Sequence, residues 1–283
     1  MSVAGAVHDL WEPRWLDGGT RQLYAALHWP QGEPARAGVL LVPPLLHELQ
    51  RSRRLCTQIA ARLAALGLPC MRFDFYGNGD SSGSGADSDF ASMRADIELA
   101  ARALRCDAGV DAIVVLALRG GALPLASWLA AGGHADAVVL WEPIVDGAAW
   151  LDELVHDDAA ELRSANRYPL RRGVPVERDE SQLMGFDVST RFRRDLAAAQ
   201  VATDAWSARP VLWGVLRAEV SLPSLPMQRV FRLPADAPAF GGSTRMDDAL
   251  FVSPGLRPVV DALGQALHES FAAVPPIPES LAS

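Results

Sequence analysis

From residue 39 to residue 141 the chain keeps one rhythm: a short apolar run, a break at Gly or Pro, then a segment with apolar residues at every third or fourth position. Unbroken apolar runs such as 39–42 suit strands covered on both faces, and the helical segments between them supply the covers. Few architectures accommodate that alternation. It predicts an α/β protein with a mostly parallel sheet and helices on both faces.

The strands predicted from the pattern are 21–29, 39–42, 69–74, 112–116, 137–141, 211–216 and 228–233. In the first of these Leu23, Ala25 and Leu27 alternate with neighbours such as Gln22 and His28, as in a half-exposed strand paired antiparallel at the start of the sheet. Predicted helices span 48–66, 88–106, 121–131 and 256–271; the first carries Leu55, Ile59 and Leu63 on one face and stops at Gly67. Between 143 and 208 the periodicity breaks, and Arg163, Arg167, Arg171, Arg172, Arg178, Arg191, Arg193 and Arg194 mix with acidic residues. That stretch reads as a solvated helical insertion or as a cap facing a ligand. The organisation expected is one domain over 1–283, with a cap insertion at about 147–208 and a loose Pro-rich tail at 275–283.

Composition closes off several functions. All 26 basic residues are Arg, so there is no Lys for a phosphate-binding P-loop or for a Schiff base with pyridoxal phosphate. No cofactor and no metal site is expected. Against 34 acidic residues the net charge is −8, which argues against nucleic acid as a partner. Cys56, Cys70 and Cys106 lack the spacing of metal or redox pairs and read as reduced core thiols of a cytoplasmic protein. The first ten residues have neither the basic nor the apolar region of a signal peptide. Residues 112–133 carry a single charge, Arg119, but a β-branched run, a glycine turn and Pro124 read as buried strand, turn and helix, not a membrane span.

Two motifs carry the chemistry. Asp74-Phe75-Tyr76-Gly77-Asn78-Gly79-Asp80-Ser81 resembles the D-x-x-G-x-G-x-S loop of serine hydrolases with the α/β-hydrolase fold. Ala117-Leu118-Arg119-Gly120-Gly121 stands where that fold has its nucleophile elbow, G-x-S-x-G, in which small residues flank a sharp strand-to-helix turn. Ala117 and Gly121 meet the steric demand, but the centre is Arg119. A guanidinium stays protonated and has no lone pair with which to attack a carbonyl. The loop 234–255, where the fold has its catalytic His, contains none; His268 falls within the next helix, and Glu219 alone stands near the place of the acid.

A cation at a helix N-terminus opposes the helix dipole by about 0.3–1 kcal/mol, so Arg119 calls for an anion. Glu142, at the end of the neighbouring strand 137–141, is one source; a ligand carboxylate or phosphate held by Arg119 and the Gly120 N–H is the other. His47 and Glu48, after strand 39–42, are placed to join either arrangement, though His47 also reads as an ordinary loop histidine.

A narrower resemblance rests on Val42-Pro43-Pro44 with Glu48 and Arg51-Ser52-Arg53-Arg54, on Tyr76-Gly77 with Gly79-Asp80-Ser81, on Leu118-Arg119, and on the run Trp141-Glu142-Pro143-Ile144-Val145-Asp146-Gly147. Weaker echoes are Gly185-Phe186 with Ser189, and Pro238 with Phe240 and Pro254; the stretch between Leu216 and Phe240 is compressed, and Gly241 replaces a Trp of the pattern. In these features the chain resembles the exosortase A system-associated hydrolases, type 2, of bacterial exopolysaccharide gene clusters. The resemblance implies an α/β-hydrolase fold with an Arg at the elbow as part of the group's pattern. The preferred reading of the site is that Arg119, with Glu142, His47, Glu48 and Gly120, binds a small carboxylate, acyl or phosphate ligand without a Ser-His pair; a partner or scaffold of a polysaccharide-export complex is a further class. The alternative is an ester or amide hydrolase or acyltransferase that recruits Ser81, Ser82 or Cys70.

Overall fold

The structure, a computed structural model, describes residues 10–31, 35–163, 179–240 and 249–272. Outside the described residues lie the first nine positions, Arg167, Arg171, Arg172 and Arg178 of the insertion, residues 241–248 of the histidine-free loop including Gly241, and the tail 275–283. The chain opens with a hairpin, β1 (Trp11–Asp17) and β2 (Gln22–His28), followed by β3 (Ala37–Val42), α1 (His47–Ala65), β4 (Cys70–Phe73) and α2 (Phe90–Ala108). Then come β5 (Ala112–Leu118), α3 (Ala122–Ala130), β6 (Ala137–Trp141), α4 (Gly147–Leu162), the short β7 (Gln182–Leu183) and β8 (Phe186–Asp187), and α5 (Thr190–Ala198). β9 (Val211–Leu216), β10 (Arg229–Arg232) and α6 (Arg257–Ser270) close the described chain.

Eight strands form one sheet in the order β1-β2-β4-β3-β5-β6-β9-β10. β1 and β2 run antiparallel and the rest are parallel, as the alternation predicts. Strand parity explains the unbroken apolar runs. Val39, Leu41, Val114 and Leu116 point into one core with Leu55, Ile59 and Leu63 of α1 and Leu263 and Leu267 of α6. Leu40, Val42, Val115 and Ala117 point into the other, with Ile97 and Leu104 of α2 and Leu125 and Leu129 of α3. Successive side chains of a strand leave opposite faces, so a strand buried on both needs apolar residues at every position.

Local chemistry fixes the helix starts. Asp89 caps α2 by accepting from Ser92 N, while the Ser92 hydroxyl bonds back to Asp89 N, a reciprocal capping box. Asp146 and Ser189 cap α4 and α5 in the same way, each accepting from the amide three residues on. Cys56 and Cys70 are buried, and burial pushes the Cys56 thiol up to about 12. Cys106 departs from expectation: it is exposed, because α2 buries the face of Met93, Ile97, Ala101 and Leu104 and Cys106 lies off it. Among the described residues no helix is long and apolar enough to cross a membrane.

Candidate functional site

At the carboxyl edge of the sheet, three non-glycine residues hold left-handed backbone: Leu46 after β3 (φ 55°), Arg119 after β5 (φ 50°) and Glu142 after β6 (φ 42°). These strands are neighbours, in the order β3-β5-β6. Left-handed backbone costs a non-glycine residue about 1–2 kcal/mol and persists only where its surroundings over-determine it. At Arg119 they do. Its carbonyl accepts from Ile144 N at 3.2 Å, and a Cβ on Gly121 would run into the Pro43 carbonyl. The turn is therefore the sharp elbow expected from the Ala117 to Gly121 spacing, with a 3-10 turn (Arg119–Gly121) leading into α3.

The guanidinium folds back across the sheet edge to Glu48, in the first turn of α1. Nε lies 3.1 and 3.3 Å from the two carboxylate oxygens and Nη2 lies 3.0 Å from Oε1. Nη1 donates to the main-chain carbonyl of Glu142 at 3.4 Å. The Phe240 ring centroid is 5.6 Å from Cζ, a cation–π distance. The Glu48 side chain is 2% exposed and that of Arg119 16%. Burial raises the Glu48 carboxyl pKa, against the pull of the Arg119 and Arg51 guanidinium groups, which favour the carboxylate.

Glu142, one of the two anions proposed for Arg119, turns elsewhere. Its Oε1 accepts from Arg217 Nε at 2.6 Å, and Arg217 Nη2 donates to the Pro238 carbonyl at 2.9 Å. The internal carboxylate for Arg119 is thus Glu48, from α1, which follows the strand on the other side of β5, and Glu142 contributes only its carbonyl. The left-handed backbone of Glu142 and the cation directly after β9 account for the difference. Glu142 Oε2 is buried without a hydrogen-bond partner among the described residues.

His47 opens α1 beside this pair. Its Nδ1 is buried without a partner among the described residues. Desolvation, then the charges of Arg51 and Arg119, lower its pKa from 6.5 to about 4, so the imidazole is neutral near pH 7. Arg51 Nη1 donates to the Phe240 carbonyl at 2.7 Å, tying α1 to the segment after β10. Gly120 lies against α4: a Cβ there would run into the Trp150 ring.

The glycine loop keeps its motif for mechanical reasons. Asp74 Oδ2 accepts from Asp80 N at 2.9 Å and from Arg53 Nη2 at 2.6 Å, and a side chain on Gly79 (φ 56°) would occupy the same space as that carboxylate. The Ser81 hydroxyl donates to the Asp74 carbonyl at 2.6 Å and accepts from Tyr24 N at 2.9 Å. The Ser82 hydroxyl accepts from Gln22 N at 2.9 Å and donates to the Gln22 carbonyl at 3.0 Å. Both hydroxyls stitch the loop to β2. Asp96 anchors the other side, accepting from Tyr76 N at 2.9 Å and Arg21 Nη2 at 2.7 Å.

The remaining candidates stand apart. Cys70 is fully buried on β4 and burial pushes its thiol well up. His268 is in the last turn of α6 and Glu219 is exposed beyond β9. Arg119, Glu48, the Glu142 main chain and His47 do come together, with Gly120 at the turn. Arg217, Phe240 and Trp150 complete the neighbourhood and were not singled out from the sequence as parts of it. Arg217 had a usable signal: like Arg119 and Glu142, it is the first residue after an apolar strand. Among the described residues no group of His, Cys, Asp or Glu could hold a metal ion.

No family model and no curated protein matches the chain. Solved structures do. DcsB in complex with its substrate analogue matches with a TM-score of 0.61 at 15% identity, covering 93% of this chain and 100% of that one. A soluble variant of monoglyceride lipase from Saccharomyces cerevisiae, in complex with a substrate analogue, gives 0.59 at 12% identity, covering 96% and 100%. An α/β serine hydrolase without lid from Xanthomonas campestris gives 0.55 at 18% identity, covering 94% and 97%. Together with the strand order, these matches show an α/β-hydrolase fold; a reaction does not follow from a fold.

Proposed function

We propose that this α/β-hydrolase-fold protein binds a small carboxylate, acyl or phosphate ligand at its elbow and does not hydrolyse it. One observation carries the reading: a guanidinium, neutralised by Glu48, occupies the elbow whose left-handed turn is kept. The acyl-enzyme route of a serine or cysteine hydrolase needs a hydroxyl or thiol beside a base. Ser81 and Ser82 are committed to main-chain groups, and Cys70 is buried as a thiol. For binding, Glu48 and the Glu142 carbonyl engage three of the five guanidinium N–H groups among the described residues, so one on each terminal nitrogen remains to meet an anion. The unpartnered His47 Nδ1 adds a polar group, and the Gly120 N–H another at the turn.

The motif resemblance supports a finer setting, a protein of the exosortase-associated type working beside a polysaccharide-export protein; the cysteine spacing supports a cytoplasmic one, and the period of the chain a single domain over 1–283 with a cap at about 147–208. The test offers the purified protein p-nitrophenyl acetate and a fluorophosphonate probe. Neither turnover nor labelling is expected. Labelling that vanishes in Ser81→Ala or Ser82→Ala would establish instead an ester or amide hydrolase or acyltransferase with a recruited nucleophile. For binding, acetate or inorganic phosphate is expected to raise the Tm of the wild type and not that of Arg119→Met; an equal shift in both would remove the elbow from the reading.

A further inference from the structure

We infer that the molecule has a second binding site, away from the elbow, which takes a small organic monoanion with an apolar body. A cavity of about 580 Å³ lies where α5 packs beside α2 and α3. Ligand pockets commonly enclose about 300–1,000 Å³. Leu123, Ala126 and Ala130, on one face of α3, and Trp206, beyond α5, supply apolar lining. Arg94, Arg191 and Arg194 also line it, against two carboxylates, Asp89 and Asp195. Three cations and two anions leave one positive charge facing the cavity.

That charge resides mainly on Arg94. Arg191 pairs with Asp89 at 3.2 Å, and Arg194 lies 3.6 Å from Asp195. Burial acts to raise the Asp89 pKa, but the Ser92 amide and Arg191 outweigh it and hold the carboxyl below its ordinary value, so it remains an anion for Arg191. Arg94 finds among the described residues only the neutral Ser127 hydroxyl, 3.1 Å from Nη1. A second donor is also unmet. Trp206 is 6% exposed, and its indole Nε1 is buried without a hydrogen-bond partner among the described residues. A charged donor whose acceptor is a neutral hydroxyl and a neutral donor without one among the described residues, beside an aliphatic and aromatic lining, match a carboxylate or sulfonate head on a short alkyl or aryl body. The elbow differs in kind, because there the arginine already has its carboxylate.

Titration calorimetry on the full chain with hexanoate and phenylacetate tests the assignment, with acetate as head alone and hexanol as body alone. Both larger acids are expected to saturate a site that Ala126→Phe removes, with acetate and hexanol at least about tenfold weaker there. Arg94→Gln should weaken hexanoate by about tenfold and Trp206→Phe by about threefold. Arg94→Gln gives up only the Ser127 contact, so its melting temperature reports whether the fold is intact; Ala126→Phe, which fills the cavity, should abolish binding independently. The part of hexanoate binding that Arg94→Gln weakens and Ala126→Phe removes belongs to this site; any part that both variants keep belongs elsewhere, the elbow included. Absence of saturable binding by either acid overturns the proposal, as does hexanoate binding that is kept unchanged in both Arg94→Gln and Ala126→Phe.

Discussion

The arginines at the elbow and those beside α5 are built to opposite ends. At the elbow each guanidinium meets a fixed acceptor: Arg119 meets Glu48, Arg217 meets Glu142 and Arg51 meets the Phe240 carbonyl, with Glu48 almost wholly removed from water. Beside α5 the pairs are loose and open, and the Arg191 side chain is 67% exposed. Water screens the second set and cannot screen the first, so the same residue type holds the elbow together and only decorates the flank. A chain without lysine has made both from one side chain, and burial alone distinguishes them.

That contrast can be broken most directly at Arg119. Arg119→Ala strands a buried carboxylate and is expected to cost about 3–5 kcal/mol in urea unfolding, most of it recovered when Glu48→Gln is added. A next test uses pH. Folded His47 stays neutral down to about 4, whereas the unfolded imidazole takes its proton near 6.5. The unfolded chain then binds more protons between those values, so stability is unaffected above that window and falls as pH drops through it. The fall amounts to about 3 kcal/mol in the limit. His47→Gln should flatten that slope while Arg51 and Arg119, the cations facing the ring, remain in place. Gly120→Ala drives a methyl group against Trp150 and should cost about 1–3 kcal/mol, measured as a lower urea midpoint. Smallest of all, Arg191→Ala on the flank should change stability by less than about 0.5 kcal/mol, and still less in added salt.

The scaffold was largely legible from period and punctuation. The strands at 137–141 and 211–216 are found at those bounds, and the helix ends lie within a few residues of expectation. Strand order is a different kind of information. The apolar runs show that β3, β5 and β6 are each covered on both faces, but not on which side of β5 each one lies. Because β5 has β3 on one side and β6 on the other, Arg119 had carboxylates available from both directions. Sequence reasoning set Glu142 against it and kept Glu48 as an accessory; the left-handed backbone at Glu142, which no local pattern announces, decided otherwise. Phe240 and Trp150 approach the elbow from far along the chain, so only folding reveals them. Ser81 and Ser82 were readable as turn residues, and their bonds to β2 show why the loop needs hydroxyls there.

The bend at residue 119 is held from outside, by the Ile144 amide on its carbonyl and by the closeness of Gly121 to Pro43. Its direction therefore does not depend on which side chain stands there. Whatever is substituted inherits the same launching angle, so a cysteine at 119 would make a defined attachment point for a spectroscopic label. For the same reason, placing a serine there would restore the shape of the turn.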